Sequence, residues 1–217
     1  MTSKRVPGKM LAPVCSVPLI SKVVDSVLQA GFKSDRLLVV TSDQKSDDPL
    51  ALYVGSLGIS VFRGALGNVI NRFVEAEKQY PCDWIIRVTG DSPFLSSQLL
   101  KYFEQELKGS DVCFITTTYR RTLPKGMNLE AFSAKLLHDT LATKSTNAYD
   151  NEQLTSFWHR NIPDGGLTSV ELSSDDYSRE TVAIDTFADF CAANNGSFEK
   201  LVNSVPWDTL LSRAVAR

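Results

Sequence analysis

Ser3, Arg5 and Lys9, with Pro7 and Gly8 between them, place two cations and a hydroxyl within a few residues of extended chain. An arginine fork and a mobile ammonium suit phosphate oxygens, and a glycine lets backbone N–H groups come close, so the segment fits a triphosphate. Taken alone, the same residues also describe a solvated basic N-terminus. Three further polar groups end apolar runs: Thr41-Ser42-Asp43, Thr89-Gly90-Asp91 and Asp185-Thr186. In an open α/β sheet, ligands gather beyond the carboxyl ends of the strands. Two strand-end carboxylates, Asp91 and Asp185, are what Mg²⁺ carrying nucleotide phosphates would use, because that ion takes one or two carboxylates and leaves its other positions to phosphate and water. The competing reading is that each Asp caps the helix after it.

The elements that must position these groups alternate. Apolar spacing predicts helices over 17–30, 48–57, 68–80 and 97–107, and apolar runs predict strands over 37–40, 59–62, 84–88 and 112–116. Apolar strands alternating with amphipathic helices signal a mostly parallel sheet covered on both faces. From 119 to 180 the pattern breaks. A basic loop, a strand near 129–132, helices over 134–143 and 151–160 and a strand near Val170 read as an inserted α+β subdomain within a single 217-residue domain. A buried strand over Thr181–Asp185 and helices over 187–194 and 207–216 are expected to close the chain.

Composition bounds the function. The 217 residues are 43% hydrophobic and 22% charged, enough for a core that needs no disulfide or structural metal. A net charge of −2 with mixed signs gives no footprint for nucleic acid or an anionic membrane. Cys15, Cys82, Cys113 and Cys191 are too scattered for a zinc site or a disulfide framework, and no apolar run has membrane-spanning length, so a cytoplasmic protein is expected.

Ser3-Lys-Arg5-Val-Pro7-Gly-Lys9 resembles the S-x-R-x-P-x-K signature of the cytidylyltransferases that activate acidic sugars. The likeness is strongest to their spore-coat polysaccharide branch. It continues through Val39–Asp43, Asp47-Asp48-Pro49, Val61-Phe-Arg63-Gly64, Arg87–Pro93, Gly126–Phe132 and Val182–Thr186. The resemblance implies a Rossmann-like, GT-A-like nucleotidyltransferase fold that binds CTP and Mg²⁺, couples CMP to a nonulosonic or Kdo-type sugar and releases pyrophosphate. It further implies that Arg5 and Lys9 grip the triphosphate beside Ser3 and Gly8, and that Asp91 and Asp185 hold the metal. Asp43, Arg63, Thr89 and Gly90 would lie by the nucleotide, and Asn128, Glu130 and Glu152 by the sugar. Arg72 matches a recurrent basic position that could equally serve a structural ion pair. A homodimer follows by analogy.

Three departures matter. Family members begin with an apolar strand before the triphosphate loop, whereas here the loop opens at Met1. The sequence is therefore expected to start at an internal Met of a longer protein, with a shortened, non-catalytic nucleotide-binding paralogue as the alternative. Loss of that strand would leave its neighbours with unpaired backbone groups. Asn128 stands where the family usually has Asp, and Gln153 where it usually has His; both keep hydrogen bonding without an ionisable group. His138 and His159 read as surface or packing residues, and Arg120 and Arg121 as solvated charges. A nucleotide-sugar glycosyltransferase is the other enzyme reading, although it has no need of the N-terminal loop.

Overall fold

The structure, a computed structural model, describes residues 5–109, 111–142, 149–150, 153 and 155–216. After a short ladder between Pro13–Val14 and Val17–Pro18, the chain forms α1 (Leu19–Gln29), β1 (Leu38–Ser42), α2 (Asp48–Ser56), β2 (Ser60–Gly64), α3 (Val69–Gln79), β3 (Trp84–Val88) and α4 (Ser97–Gly109). There follow β4 (Phe114–Thr116), β5 (Leu129–Ser133), α5 (Ala134–Ala142), α6 (Ser156–Arg160), β6 (Leu167–Leu172), α7 (Phe187–Asn194), α8 (Ser197–Ser204) and β7 (Leu210–Ala216).

Helices flank the sheets as expected, but the strand directions are more mixed than a mostly parallel sheet. β1 and β2 form a parallel pair, and a second sheet runs β3-β5-β4-β6-β7. Within it only β4 and β6 are parallel; β3–β5, β5–β4 and β6–β7 are antiparallel. The cause is β5, which turns back between β3 and β4. Thus β5 and β6, both from the 119–180 stretch, are interior strands of this sheet. β6 is buried at all six residues, as an interior strand should be.

Two expected elements differ. Residues 181–185 form no strand: one bridge joins Lys125 to Thr181, and the Val182 and Ala183 N–H groups both donate to the Lys125 carbonyl, at 2.7 and 3.2 Å. The 207–216 segment is a single turn, Trp207–Thr209, followed by β7 instead of a helix. The apolar edge of β6 needed a partner, and tertiary pairing overrode local helix preference.

β3 bonds to neither strand of the β1–β2 pair, so the sheet is in two parts. Although apolar at four of five positions, β3 is only half-buried along its whole length, as are Leu38, Val39 and Val40 of β1. Helix α1 bridges the parts: Val23 joins the large core with Leu99, Phe103 and Leu129, while Ile20 and Val24 join Leu50, Val54 and Ile59. α3 makes a second bridge, touching β1 and β2 while Ile70 and Val74 pack with Phe114 and Phe132.

Gly126 shows how tightly the 119–128 loop is pinned. Its φ is +99°, and a Cβ there would stand 2.5 Å from the Ala183 nitrogen. Gly126→Ala therefore meets both a left-handed backbone and fixed main chain, and should destabilise the protein by about 2 kcal/mol or more. Thermal and urea unfolding would measure it, and an unchanged melting temperature would refute the close packing of this loop on residues 182–183.

Candidate active site

β3 ends at Val88 and delivers the Thr89-Gly90-Asp91 turn. The turn is fixed internally: Thr89 Oγ1 and Ser92 Oγ lie 2.8 Å apart, and the Ser92 N–H donates to the Thr89 carbonyl at 3.2 Å. At Gly90 the Met10 side chain packs closely: a Cβ there would stand 3.1 Å from the Met10 sulfur, which would have to shift to admit it. The residue after Lys9 thus packs directly on the turn. Gly8 enters that loop with φ +75°, and the Lys9 N–H closes it on the Val6 carbonyl at 3.3 Å.

The consequence is a buried ammonium. Lys9 is 8% exposed; its Nζ donates to the Ile184 carbonyl at 2.7 Å and lies 3.7 Å from Asp91 Oδ2 and 3.4 Å from Asp185 Oδ1. The two carboxylates, 94 positions apart in the numbering, therefore meet at one cation. The main chain ties them as well, because the Ile184 N–H donates to the Asp91 carbonyl at 2.9 Å. Arg5 Nη2 reaches Asp185 Oδ1 at 3.0 Å, and Lys125 Nζ reaches Asp185 Oδ2 at 2.6 Å.

Neither Asp serves as a helix cap. Thr186 caps α7 in a reciprocal box with Asp189, and the Asp189 carboxylate also accepts from the Asp185 N–H at 2.9 Å. At α4, Ser96 Oγ accepts from the Gln98 and Leu99 N–H groups. Both carboxylates are left for the site. Burial alone would raise the Asp185 pKa, but the hydrogen bond and charge of Lys125, joined by Lys9 and Arg5, outweigh it and hold the carboxyl below its usual range. Two hard oxygen donors that share one ammonium also fit a small dication: Mg²⁺ could be held by the pair, with the surrounding cations turned to phosphate.

Other residues expected beside the nucleotide make contacts within the protein. Arg63 Nε donates to the Ser42 carbonyl at 3.1 Å, and its Nη2 donates to the Gln44 carbonyl at 2.9 Å and pairs with Asp48 at 2.6 Å. It clamps the loop after β1. The Thr41 and Ser42 hydroxyls point to buried Asp47, at 2.7 and 2.6 Å, while Asp43 is exposed and its side chain meets Gln44. Arg72 donates to the Ala65 carbonyl at 2.9 Å; burial and the nearby Arg87 lower its pKa, partly offset by Asp43.

A second polar cluster lies at the same end of the sheet. Arg87 stands opposite Glu130 in the β3–β5 register and pairs with it at 2.5 Å. Glu130 is buried, and its other oxygen accepts from Thr155 at 2.5 Å and from Thr118 at 3.4 Å. Asn128 accepts from Arg121 at 2.6 Å. His159, beside Thr118 and packed against Phe114 and Tyr119, lines this cluster, whereas His138 pairs with Glu77 elsewhere. Burial and the nearby Arg121 lower the His159 pKa, with Glu130 opposing them, so its imidazole is neutral near pH 7. Ser3 and Glu152 lie outside the described residues. Sequence reasoning missed Lys125 and Arg121; their only signal was membership of a basic loop ending at a glycine that needs positive φ.

Helices flanking a mixed sheet, with a basic loop and two carboxylates meeting beyond the end of β3, are the arrangement of nucleotidyltransferases. A family model described as Cytidylyltransferase matches residues 1–200. The chain belongs to the cytidylyltransferase family. It is 35% identical over 171 residues to the spore coat polysaccharide biosynthesis protein SpsF of Bacillus subtilis, covering 75% of this chain and 68% of that protein. To the 3-deoxy-manno-octulosonate cytidylyltransferase of Aeromonas hydrophila it is 30% identical over 110 residues, covering 48% of this chain and 43% of that enzyme. Its fold matches a cytidylyltransferase from Leptospira borgpetersenii with a TM-score of 0.83 at 26% identity, covering 94% of this chain and 89% of the other. The matched part is thus about two thirds of the Bacillus protein and less than half of the Aeromonas enzyme. No helix among the described residues is long and apolar enough to cross a membrane.

Proposed function

We propose that this protein transfers CMP from CTP to an acidic sugar of the nonulosonic or Kdo type, releasing pyrophosphate, in the making of a surface polysaccharide. The observation that carries the reading is the Lys9 ammonium, held between Asp91 and Asp185 with Arg5 and Lys125 on the same carboxylate. In the reaction a sugar hydroxyl attacks the α-phosphorus; the new O–P bond forms as the bond to the β-phosphate oxygen breaks, and the hydroxyl proton leaves to a base. Arg5 and Lys9 stabilise charge growing on the departing pyrophosphate, with Ser3 and Gly8 assigned to the same phosphate contacts. Thr89 and Gly90 set the aim of Asp91. Bound Mg²⁺ would be held by Asp91 and Asp185 and would neutralise non-bridging phosphate oxygens. Asp185, held low by its cations, is a weak base and serves as a charged ligand. Asn128, Glu130 and Glu152 belong to the sugar side, and the working unit is a cytoplasmic homodimer.

The test is pyrophosphate release with CTP, Mg²⁺ and either Kdo or N-acetylneuraminate, with UTP and a neutral sugar phosphate as comparisons. Release that needs both CTP and an acidic sugar is expected. Release with UTP and a sugar phosphate instead, or CTP binding without release under any pairing, would overturn the reading.

A further inference from the structure

Arg121 lies half-buried at the sheet end, where a guanidinium loses hydration and calls for a counter-charge. Its neighbours have theirs: Arg87 pairs with Glu130, Lys9 and Lys125 with Asp185, and Arg63 with Asp48. Arg121 instead donates to the neutral amide oxygen of Asn128, and no carboxylate among the described residues lies within ion-pair distance of it. Glu130 is nearby, but its oxygens are taken by Arg87, Thr155 and Thr118. Arg72, also half-buried, likewise has no ion pair among the described residues; it donates to the Ala65 carbonyl on the β2 side.

The position of Arg121 matters as much as its charge. Val88 stands opposite Leu129 in the β3–β5 register, so Asn128 falls beside Thr89, the first residue of the turn that carries Asp91. The same loop, four residues on, places Lys125 on Asp185. The Thr118 hydroxyl, the Tyr119 ring and the neutral His159 imidazole line the same cluster, a wall suited to a hydroxylated ligand.

We infer that Arg121 receives the carboxylate of the sugar substrate and that Asn128, by holding the guanidinium without neutralising it, sets the strength of that contact. An Asp at 128 would sit at ion-pair distance and compete with the substrate for the same fork. This rests on the acidic-sugar reading above and names the residue pair that would recognise the acid.

The experiment compares native protein with Arg121→Gln, Arg121→Lys, Asn128→Asp and the Arg121→Gln/Asn128→Asp double variant. It reads pyrophosphate release with saturating CTP and varied Kdo or N-acetylneuraminate, calorimetric binding of the same acid, and thermal melting. Arg121→Gln should raise the KM for the acid roughly 10- to 100-fold, the loss expected for one hydrogen bond to a charged group, and leave the KM for CTP unchanged. Asn128→Asp should raise it in the same sense while Arg121 is present and add little once Arg121 is gone. Arg121→Lys should recover part of the loss. If the native protein uses either acid and Asn128→Asp leaves its KM unchanged, or raises the KM for CTP equally, the inference is wrong while the acidic-sugar reading stands. If the native protein uses neither acid, both fall.

Discussion

Lys9→Met should lower kcat/KM for nucleotidyl transfer by roughly 10²- to 10³-fold, the scale seen when one preorganised charge-stabilising donor is removed. Methionine keeps the unbranched reach of the side chain and can fill the same space, so the loss isolates the ammonium. Two effects combine. The departing pyrophosphate loses a cation fixed by the Val6–Lys9 turn, and Asp91 and Asp185 lose the charge they share. A second readout separates this from a general loss of fold. Asp185 has a depressed pKa, so its contribution to stability is present above the unfolded carboxylate value and is lost as pH falls through the folded one. Removing Lys9 raises the folded pKa toward the ordinary range and shrinks that contribution, so the acid unfolding midpoint should move to higher pH. Steady-state pyrophosphate assays and an acid titration followed by circular dichroism would check both. Near-native activity in a folded Lys9→Met protein would remove Lys9 from the site.

Asp91→Asn is the other substitution with a large expected effect. The backbone of residue 91 is what joins it to residue 184, and Thr89 and Ser92 hold the turn, so the amide should fit without disturbing the fold. What is lost is one of two anionic oxygen donors. Affinity for a divalent cation should fall by at least about 10-fold, and activity should fall with it. Mn²⁺ binding followed by electron paramagnetic resonance gives a readout independent of turnover. Unchanged Mn²⁺ binding in Asp91→Asn would show that any cation is held elsewhere.

The parts legible in the sequence are those where chemistry and chain order coincide. Trp84–Val88 is an apolar run with a glycine and a carboxylate at its end, and the structure begins and ends the strand at those residues. Asp185 was found for a partly different reason from the one that holds it. No strand delivers it; a hydrogen bond from Ile184 to Asp91 and the capping of α7 by Thr186 do, and neither contact has a periodic signature. Arg63, Thr41 and Ser42 stand at strand ends as their residue types suggest, and their contacts with Asp47, Asp48 and the Ser42 carbonyl brace the loop before α2, which no spacing in the sequence announces. Leu210–Ala216 was misread as a helix because the partner that makes it a strand, β6, lies almost 40 residues earlier. Arg121 resembles any exposed arginine of a basic loop; only the return of β5 beside β3 buries it next to the turn.

Among the described residues, β3 is held by hydrogen bonds along one side only, through β5. Its last residue leads into the Thr-Gly-Asp turn, so the aim of Asp91 depends on that one ladder together with the Ile184 N–H bond to its carbonyl, while Asp185 is braced by the capped helix behind it. Sub-ångström placement of reacting groups demands stiffness, and the bond between residues 91 and 184 makes the two carboxylates share it. The same row of main-chain donors and acceptors beside Trp84, Ile85 and Ile86, unpaired among the described residues, is a template for one more extended strand. A strand added at that border would brace β3 along its second side and cover the open edge at once.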